Sequence, residues 1–269
     1  MCRKLTILIL FSVNEEIEAI KVVQKKMAVL TANNIFIVNL QNLSVEHMVR
    51  DVYKNKSETF DLTEKFLAYQ GEKGVVDIYD IVNMEHYDNI IAHKNSLSCL
   101  KLNKQSNAVA TCSVVGTIVR IHKIVKKNES VLLLELRVTY TRYKRIKSVA
   151  FSPCVCFLAV VTCDEIKLFF IKEKFNNNFI SETTTHLAYS LAGNILPSSI
   201  NDLIRQKSST NIIKFNLNNT YVKPIFKFHY GHLYLLVAFN TECLLKVYKL
   251  SSKNYSVLTY LVETISFDV

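Results

Sequence analysis

Tryptophan is absent from this sequence, and its 269 residues include only five glycines and three prolines. No glycine-rich, phosphate-cradling loop is present, nor a Gly-x-Ser-x-Gly elbow or a His-Glu-x-x-His pair, which removes the familiar signatures of nucleotide-binding, hydrolytic and zinc-protease sites. No apolar run approaches the roughly 18 residues that carry a helix across a bilayer, so any membrane contact is expected to be peripheral. The seven cysteines are an odd number. Cys99, Cys112, Cys163 and Cys243 sit singly in apolar alternation and Cys154 and Cys156 lie close together, a usage that suits a reducing cytosol better than a disulfide framework. Cys154, Cys156 and Cys163 have no histidine at zinc spacing, and His229-x-x-His232 lacks further spaced ligands. Neither a metal nor a cofactor is expected, and the chain is not expected to be an enzyme.

What the chain does have is enough apolar material, 49% of residues, to fill a substantial core, which excludes intrinsic disorder. Thirty-three Lys and Arg against 23 Asp and Glu give a formal charge of +10 and favour anionic partners: nucleic acid, phosphate groups or an acidic lipid surface. No recognition helix or aromatic-basic motif points to specific nucleic-acid binding. Turn residues are supplied mainly by 23 asparagines, the non-glycine residue that best tolerates a left-handed backbone; Asn33-Asn34, Asn176 to Asn178 and Asn218-Asn219 all fall between apolar runs. The start, Met1-Cys-Arg-Lys before Leu5-Thr-Ile-Leu-Ile-Leu-Phe11, has the look of a signal peptide. Asn14-Glu15-Glu16 stands where small residues should mark cleavage, so the segment reads as a strand.

One six-residue pattern recurs, apolar at positions one, three and six. Its copies are Ile35-Phe-Ile37-Val-Asn-Leu40, Val76-Asp-Ile78-Tyr-Asp-Ile81, Val119-Arg-Ile121-His-Lys-Ile124, Ile166-Lys-Leu168-Phe-Phe-Ile171 and Leu245-Lys-Val247-Tyr-Lys-Leu250. Such alternation of β-branched and aromatic residues means strand. Apolar runs precede the copies at near-constant distance: Met27 to Thr31, Ala108 to Thr111, Phe157 to Val161 and Leu233 to Ala238, and upstream of these Ile17 to Val22, Leu97 to Leu102, Ile146 to Phe151 and Pro224 to Phe228. The copies are spaced by 41, 43, 47 and 79 residues, the first three near the length of a four-stranded propeller blade and the last long enough for one blade with an insertion or for two blades. The expected fold is therefore an all-β, WD40-like β-propeller of about five complete blades, a single domain over residues 1–269. Leu5-Thr-Ile7-Leu-Ile-Leu10 reads as a sixth copy with no inner strands before it. Either the ring closes with fewer blades or the true N-terminus lies upstream.

The stretch Ile91-Ala-His93-Lys-Asn-Ser96-Leu-Ser-Cys-Leu100, then Ala110-Thr-Cys-Ser113-Val-Val-Gly116-Thr117-Ile-Val-Arg120-Ile121, Glu135-Leu-Arg137 and Ser148-Val-Ala-Phe-Ser-Pro153, resembles the PROPPIN family, seven-bladed WD-repeat-like propellers that bind phosphoinositides in autophagy. The likeness is densest over residues 75–171. The family signature is a Phe/Leu-Arg-Arg-Gly turn whose two arginines face two headgroup pockets; here it reads Leu136-Arg137-Val138-Thr139. By resemblance Arg137 belongs to the first pocket with Ser113, Thr117 and Arg120. The second pocket is degenerate: Val138 replaces its arginine, Thr162 and Lys167 stand at the family's hydroxyl and histidine positions, and Arg142 adds only general charge.

An inositol phosphate calls for planar, permanently charged donors and short hydroxyls, which Arg137, Arg120, Ser113 and Thr117 provide. The competing reading makes the arginines ordinary surface residues and the hydroxyls turn-stabilisers. His93 reads as a structural, blade-bridging histidine outside the site. In the family a long loop on the penultimate blade dips into the bilayer, and the 79-residue interval lies there, with an insertion at residues 186–210. Within it Leu196, Ile200, Leu203 and Ile204 repeat at helical spacing, followed by Arg205 and Lys207, as in a short amphipathic helix at a lipid interface. The alternative packs that helix on its own blade.

The resemblance thus implies a non-catalytic propeller that recognises phosphatidylinositol 3-phosphate, with the 3,5-bisphosphate as a further candidate. It would act on autophagosomal, endosomal or vacuolar membranes from the cytoplasm, with autophagy or trafficking proteins on its surface. The rival is a protein-interaction scaffold whose lipid pockets have decayed.

Overall fold

Period-two alternation of apolar residues organises the chain into strands throughout. The computed structural model describes residues 15–138, 145–163, 165–171, 210–214, 222–229, 232–239, 244–253 and 256–266, and these hold twenty strands and no helix. The first sheet comprises β1 (Ile17–Val23), β2 (Lys26–Thr31), β3 (Ile35–Asn39) and β4 (Val45–Val49). The second comprises β5 (Phe60–Leu62), β6 (Phe66–Glu72), β7 (Val75–Asp80) and β8 (Glu85–Ile91). The third is built from β9 (Leu97–Leu102), β10 (Ala108–Ser113), β11 (Ile118–Lys126) and β12 (Glu129–Arg137), and the fourth from β13 (Ser148–Phe151), β14 (Phe157–Val161), β15 (Glu165–Phe170) and β16 (Thr210–Lys214). The fifth holds β17 (Val222–His229), β18 (His232–Phe239), β19 (Leu244–Lys253) and β20 (Ser256–Ser266). Each sheet takes its four strands in chain order, every neighbour antiparallel, which is the layout of five propeller blades.

All five hexad copies are third strands: β3, β7, β11, β15 and β19. The runs before them are the first and second strands of the first, third, fourth and fifth sheets. The leading copy at Leu5 to Leu10 lies outside the described residues. The second sheet's first strand carries no comparable signal, because β5 is three residues long with a carboxylate at its centre, whereas β6 opens on the apolar run Phe66 to Tyr69.

Both faces of the middle strands are apolar, and packing sheet on sheet covers them. Four apolar clusters form, each shared by two consecutive sheets. On β6, Leu67 and Tyr69 face the first sheet while Phe66 and Ala68 face the third. On β14, Leu158 and Val160 face the third sheet while Phe157, Ala159 and Val161 face the fifth. Cys99 and Cys112, paired across β9 and β10, are free thiols inside the cluster between the third and fourth sheets. The inner strands are also tied by charge. Asp61 on β5 is buried and accepts from Lys21 on β1 (3.4 Å), from Lys101 on β9 (2.8 Å) and from the Leu102 amide (3.0 Å), joining three sheets at one carboxylate.

Asparagine serves the turns differently from the expectation. Among the described residues only Asn128 uses it for a left-handed backbone; Gln24, Leu43, Asp51, Met84, Ser106 and Val155 take the other such non-glycine positions. Asparagine acts instead through its side chain, which competes well for backbone amides. Asn39 accepts from the Gln41 amide (2.8 Å), Asn42 from that of Ser44 (3.1 Å), and Asn103 from those of Asn107 and Ala108 (3.0 Å each). Asn176 to Asn178 and Asn218-Asn219 lie outside the described residues.

Candidate functional site

Because each sheet runs up and down, one end of the third sheet gathers the start of β9, the turn from β10 to β11 and the end of β12. Ser113 closes β10 and Thr117 precedes β11, so the two hydroxyl residues flank that turn. The turn is tight. The Gly116 amide donates to the Ser113 carbonyl (2.8 Å), and a Cβ on Gly116 would stand 2.2 Å from Cys112 Sγ and 2.5 Å from that same carbonyl oxygen. Arg137 pairs with Ile118 across β11 and β12, and the next amide, of Val138, donates to the Thr117 carbonyl (2.8 Å). Register therefore brings Arg137, which is exposed on the outermost strand, beside Thr117 and the Ser113 turn.

Arg120 lies two residues further along β11, opposite Glu135 on β12 and Thr111 on β10. Its Nε donates to Glu135 Oε2 (2.9 Å) and its Nη1 to the Ala92 carbonyl in the connection from the second sheet (2.7 Å). Two of its five N–H donors are thus committed, one within the third sheet and one to the connection that leads in from the second. The Ala92 carbonyl is itself held in place, since the Ala92 and His93 amides both donate to the Gly74 carbonyl (3.0 and 2.9 Å). Gly74 has φ of 75°, and a Cβ there would meet the His93 carbonyl oxygen at 2.0 Å, so no larger residue fits. Glu135 and the Ala92 carbonyl are the residues that sequence reasoning did not assign. Strand alternation offered one signal, because Glu135 and Arg137 share a face of β12.

His93 pairs through Nε2 with Thr111 Oγ1 (3.1 Å), bridging the second and third sheets. Burial, and then the Arg120 guanidinium, depress its pKa to about 4, so at neutral pH it is uncharged and offers no cation to a phosphate. His122 on β11 is lowered to about 4 as well, by burial first and then by His93 and Arg120.

The residues expected at the second pocket are built into the protein. Val138 is buried in the cluster between the third and fourth sheets, and its carbonyl accepts from Lys167 Nζ (2.5 Å), which also meets Glu165 Oε1 (3.3 Å). Thr162 is fully buried and donates to the Glu165 carbonyl (3.2 Å). Arg142 lies outside the described residues, as do Leu196, Ile200, Leu203, Ile204, Arg205 and Lys207. Exposed Lys94, Arg145 and Lys147 flank the Arg137 end of the sheet, in the connections before β9 and β13. Among the described residues no cluster of three or more His, Cys, Asp or Glu side chains is placed to hold a metal.

This arrangement of sheets has counterparts in known proteins. Autophagy-related protein 18 of Caenorhabditis elegans is 29% identical over 145 residues, 52% of this chain and 34% of that protein. WD repeat domain phosphoinositide-interacting protein 2 of Gallus gallus is 27% identical over 207 residues, 73% of this chain and 47% of that protein. The chain thus spans less than half the length of these relatives. In the solved structure of Kluyveromyces lactis Hsv2 with its complete loop 6CD, a fold of the same kind is seen with a TM-score of 0.70 and 18% identity, covering 95% of this chain and 75% of that one. The PROPPIN family model matches residues 2–260, almost the whole length over which the five blades and the single-arginine turn are laid out, and the chain belongs to the PROPPIN family.

Proposed function

We propose that the protein is a non-catalytic, phosphoinositide-binding propeller that associates peripherally with membranes from the cytoplasm and acts in autophagy or vesicle trafficking. Its headgroup site is Arg137 with Ser113 and Thr117, and Arg120 is its inner wall. The preferred ligand is phosphatidylinositol 3-phosphate, with the 3,5-bisphosphate second. The observation that carries this reading is the pairing of Arg137 with Ile118, which sets an exposed guanidinium beside two hydroxyl residues at an end of the sheet where Lys94, Arg145 and Lys147 are also exposed. The names of the C. elegans and G. gallus relatives support it, one being autophagy-related and the other phosphoinositide-interacting. On sequence pattern alone, segment 196–207 supplies a second, apolar and basic membrane contact.

The test is sedimentation with phosphatidylcholine vesicles carrying phosphatidylinositol 3-phosphate. The wild-type protein is expected in the pellet, and Arg137→Ala should lose about tenfold to a hundredfold in affinity, the worth of one charge-assisted contact. Equal sedimentation of the two proteins removes this pocket.

A second reading, a protein-interaction scaffold, draws on Val138 and Arg120. The former is buried where the family carries an arginine, and the latter is held by Glu135. Binding to vesicles that is indifferent to the phosphoinositide would favour it.

A further inference from the structure

Among the described residues, the turn between the second and third strands recurs at the same end of the first four sheets. In the first sheet it is Ala32-Asn33-Asn34, in the second it contains Lys73 and Gly74, and in the fourth Thr162 and Cys163. In the third sheet it is Val114-Val115-Gly116, with Val114 42% and Val115 44% exposed. β-branched residues fit pleated strands and are poor turn residues, so two valines at a solvent-facing tip serve no local conformational need. Neither belongs to any of the apolar clusters that hold the sheets together.

The tip is also rigid. The Val114 amide donates to the Ser96 carbonyl (2.9 Å), Ser98 Oγ donates to the carbonyls of Cys112 (3.2 Å) and Ser113 (3.1 Å), and Gly116 closes the turn against Cys112. Side chains presented on a fixed turn lose little conformational freedom when they bind.

We infer that Val114 and Val115 form an apolar wedge that enters the interfacial layer of an anionic bilayer while the adjoining Ser113, Thr117 and Arg137 take the headgroup. The inference rests on the lipid reading above and deepens it. Exposed Lys94, Arg137, Arg145 and Lys147 lie before β9, at the end of β12 and before β13, at the same end of the third and fourth sheets as the wedge, and cations at the end that carries a small apolar tip match a negatively charged leaflet. Two valines are far too little surface for a protein partner, which needs about 800 Å² on each side.

The absence of tryptophan makes the test direct, because Val115→Trp gives the sequence a single tryptophan whose emission can be excited apart from that of the 13 tyrosines. On phosphatidylcholine and phosphatidylserine vesicles with phosphatidylinositol 3-phosphate, its emission should shift to the blue and be quenched by bromine-labelled acyl chains. In parallel, Val114→Ser combined with Val115→Ser should sediment with about tenfold lower affinity, keep its thermal midpoint, and bind water-soluble inositol 1,3-bisphosphate as the wild type does. Membrane-bound Val115→Trp protein that emits as it does in water, or a double-serine variant that sediments like wild type, overturns the wedge and leaves the headgroup site standing. Wild-type protein that binds neither the soluble headgroup nor the vesicles overturns both.

Discussion

At Arg120 the guanidinium bridges Glu135 and the Ala92 carbonyl, and just behind it lie two histidines whose burial keeps them neutral. That arrangement has a consequence in acid. His93 and His122 have folded-state pKa values near 4, below the ordinary histidine value of 6.5. Between the two values the unfolded chain binds protons that the folded protein refuses. Stability is therefore complete above pH 6.5 and falls as the pH drops from there toward 4, by at most about 1.4 kcal/mol per pH unit for each histidine. Denaturant midpoints measured between pH 7 and pH 4.5 should decline accordingly. His122, whose Nδ1 is buried with no hydrogen-bond partner, is the one to remove: His122→Phe should flatten the decline, and an unchanged slope would mean that this imidazole is not the titrating group.

At the scale of the element, the β10–β11 turn joins core packing to the candidate site. Gly116 lies so close to Cys112 Sγ and the Ser113 carbonyl that Gly116→Ala must displace backbone as well as side chain. The cost should be about 1 to 3 kcal/mol, read as a lower thermal midpoint, and the displaced Ser113 and Thr117 should weaken vesicle binding at temperatures where the variant is fully folded. A variant with wild-type stability would show that the turn relaxes freely. The same turn shows what strand patterning reveals. The hexads predict the third strands because a strand's alternation is written in adjacent residues, and Ser113 and Thr117 are placed correctly on either side of the turn by counting along it. The partner of Arg120 is not legible in that way. Glu135 arrives through the register of β11 against β12, and the Ala92 carbonyl through the packing of a neighbouring sheet.

Across the whole molecule, consecutive sheets are joined by apolar clusters near the middle strands, and the first three also by Asp61 at their inner strands. Asp61→Ala leaves Lys21, Lys101 and the Leu102 amide without their shared acceptor. Since both lysines are partly solvated, the expected loss is about 2 kcal/mol, less than for a fully buried pair, measured by chemical denaturation. Loss of under about 0.5 kcal/mol would show that solvent replaces the carboxylate at little cost. The amino-acid sequence alone determined that this is an all-β repeat protein with blade-length spacing and a PROPPIN-like turn holding one arginine in place of two, because periodicity and motif are properties of neighbouring residues. Tertiary structure alone decided that Arg120 is a strut between sheets, that Val138, Thr162 and Lys167 are absorbed into packing, and that Val114 and Val115 stand exposed beside Arg137. Each of those outcomes depends on contacts between strands distant in the chain, whose register and packing are set only when the sheets come together.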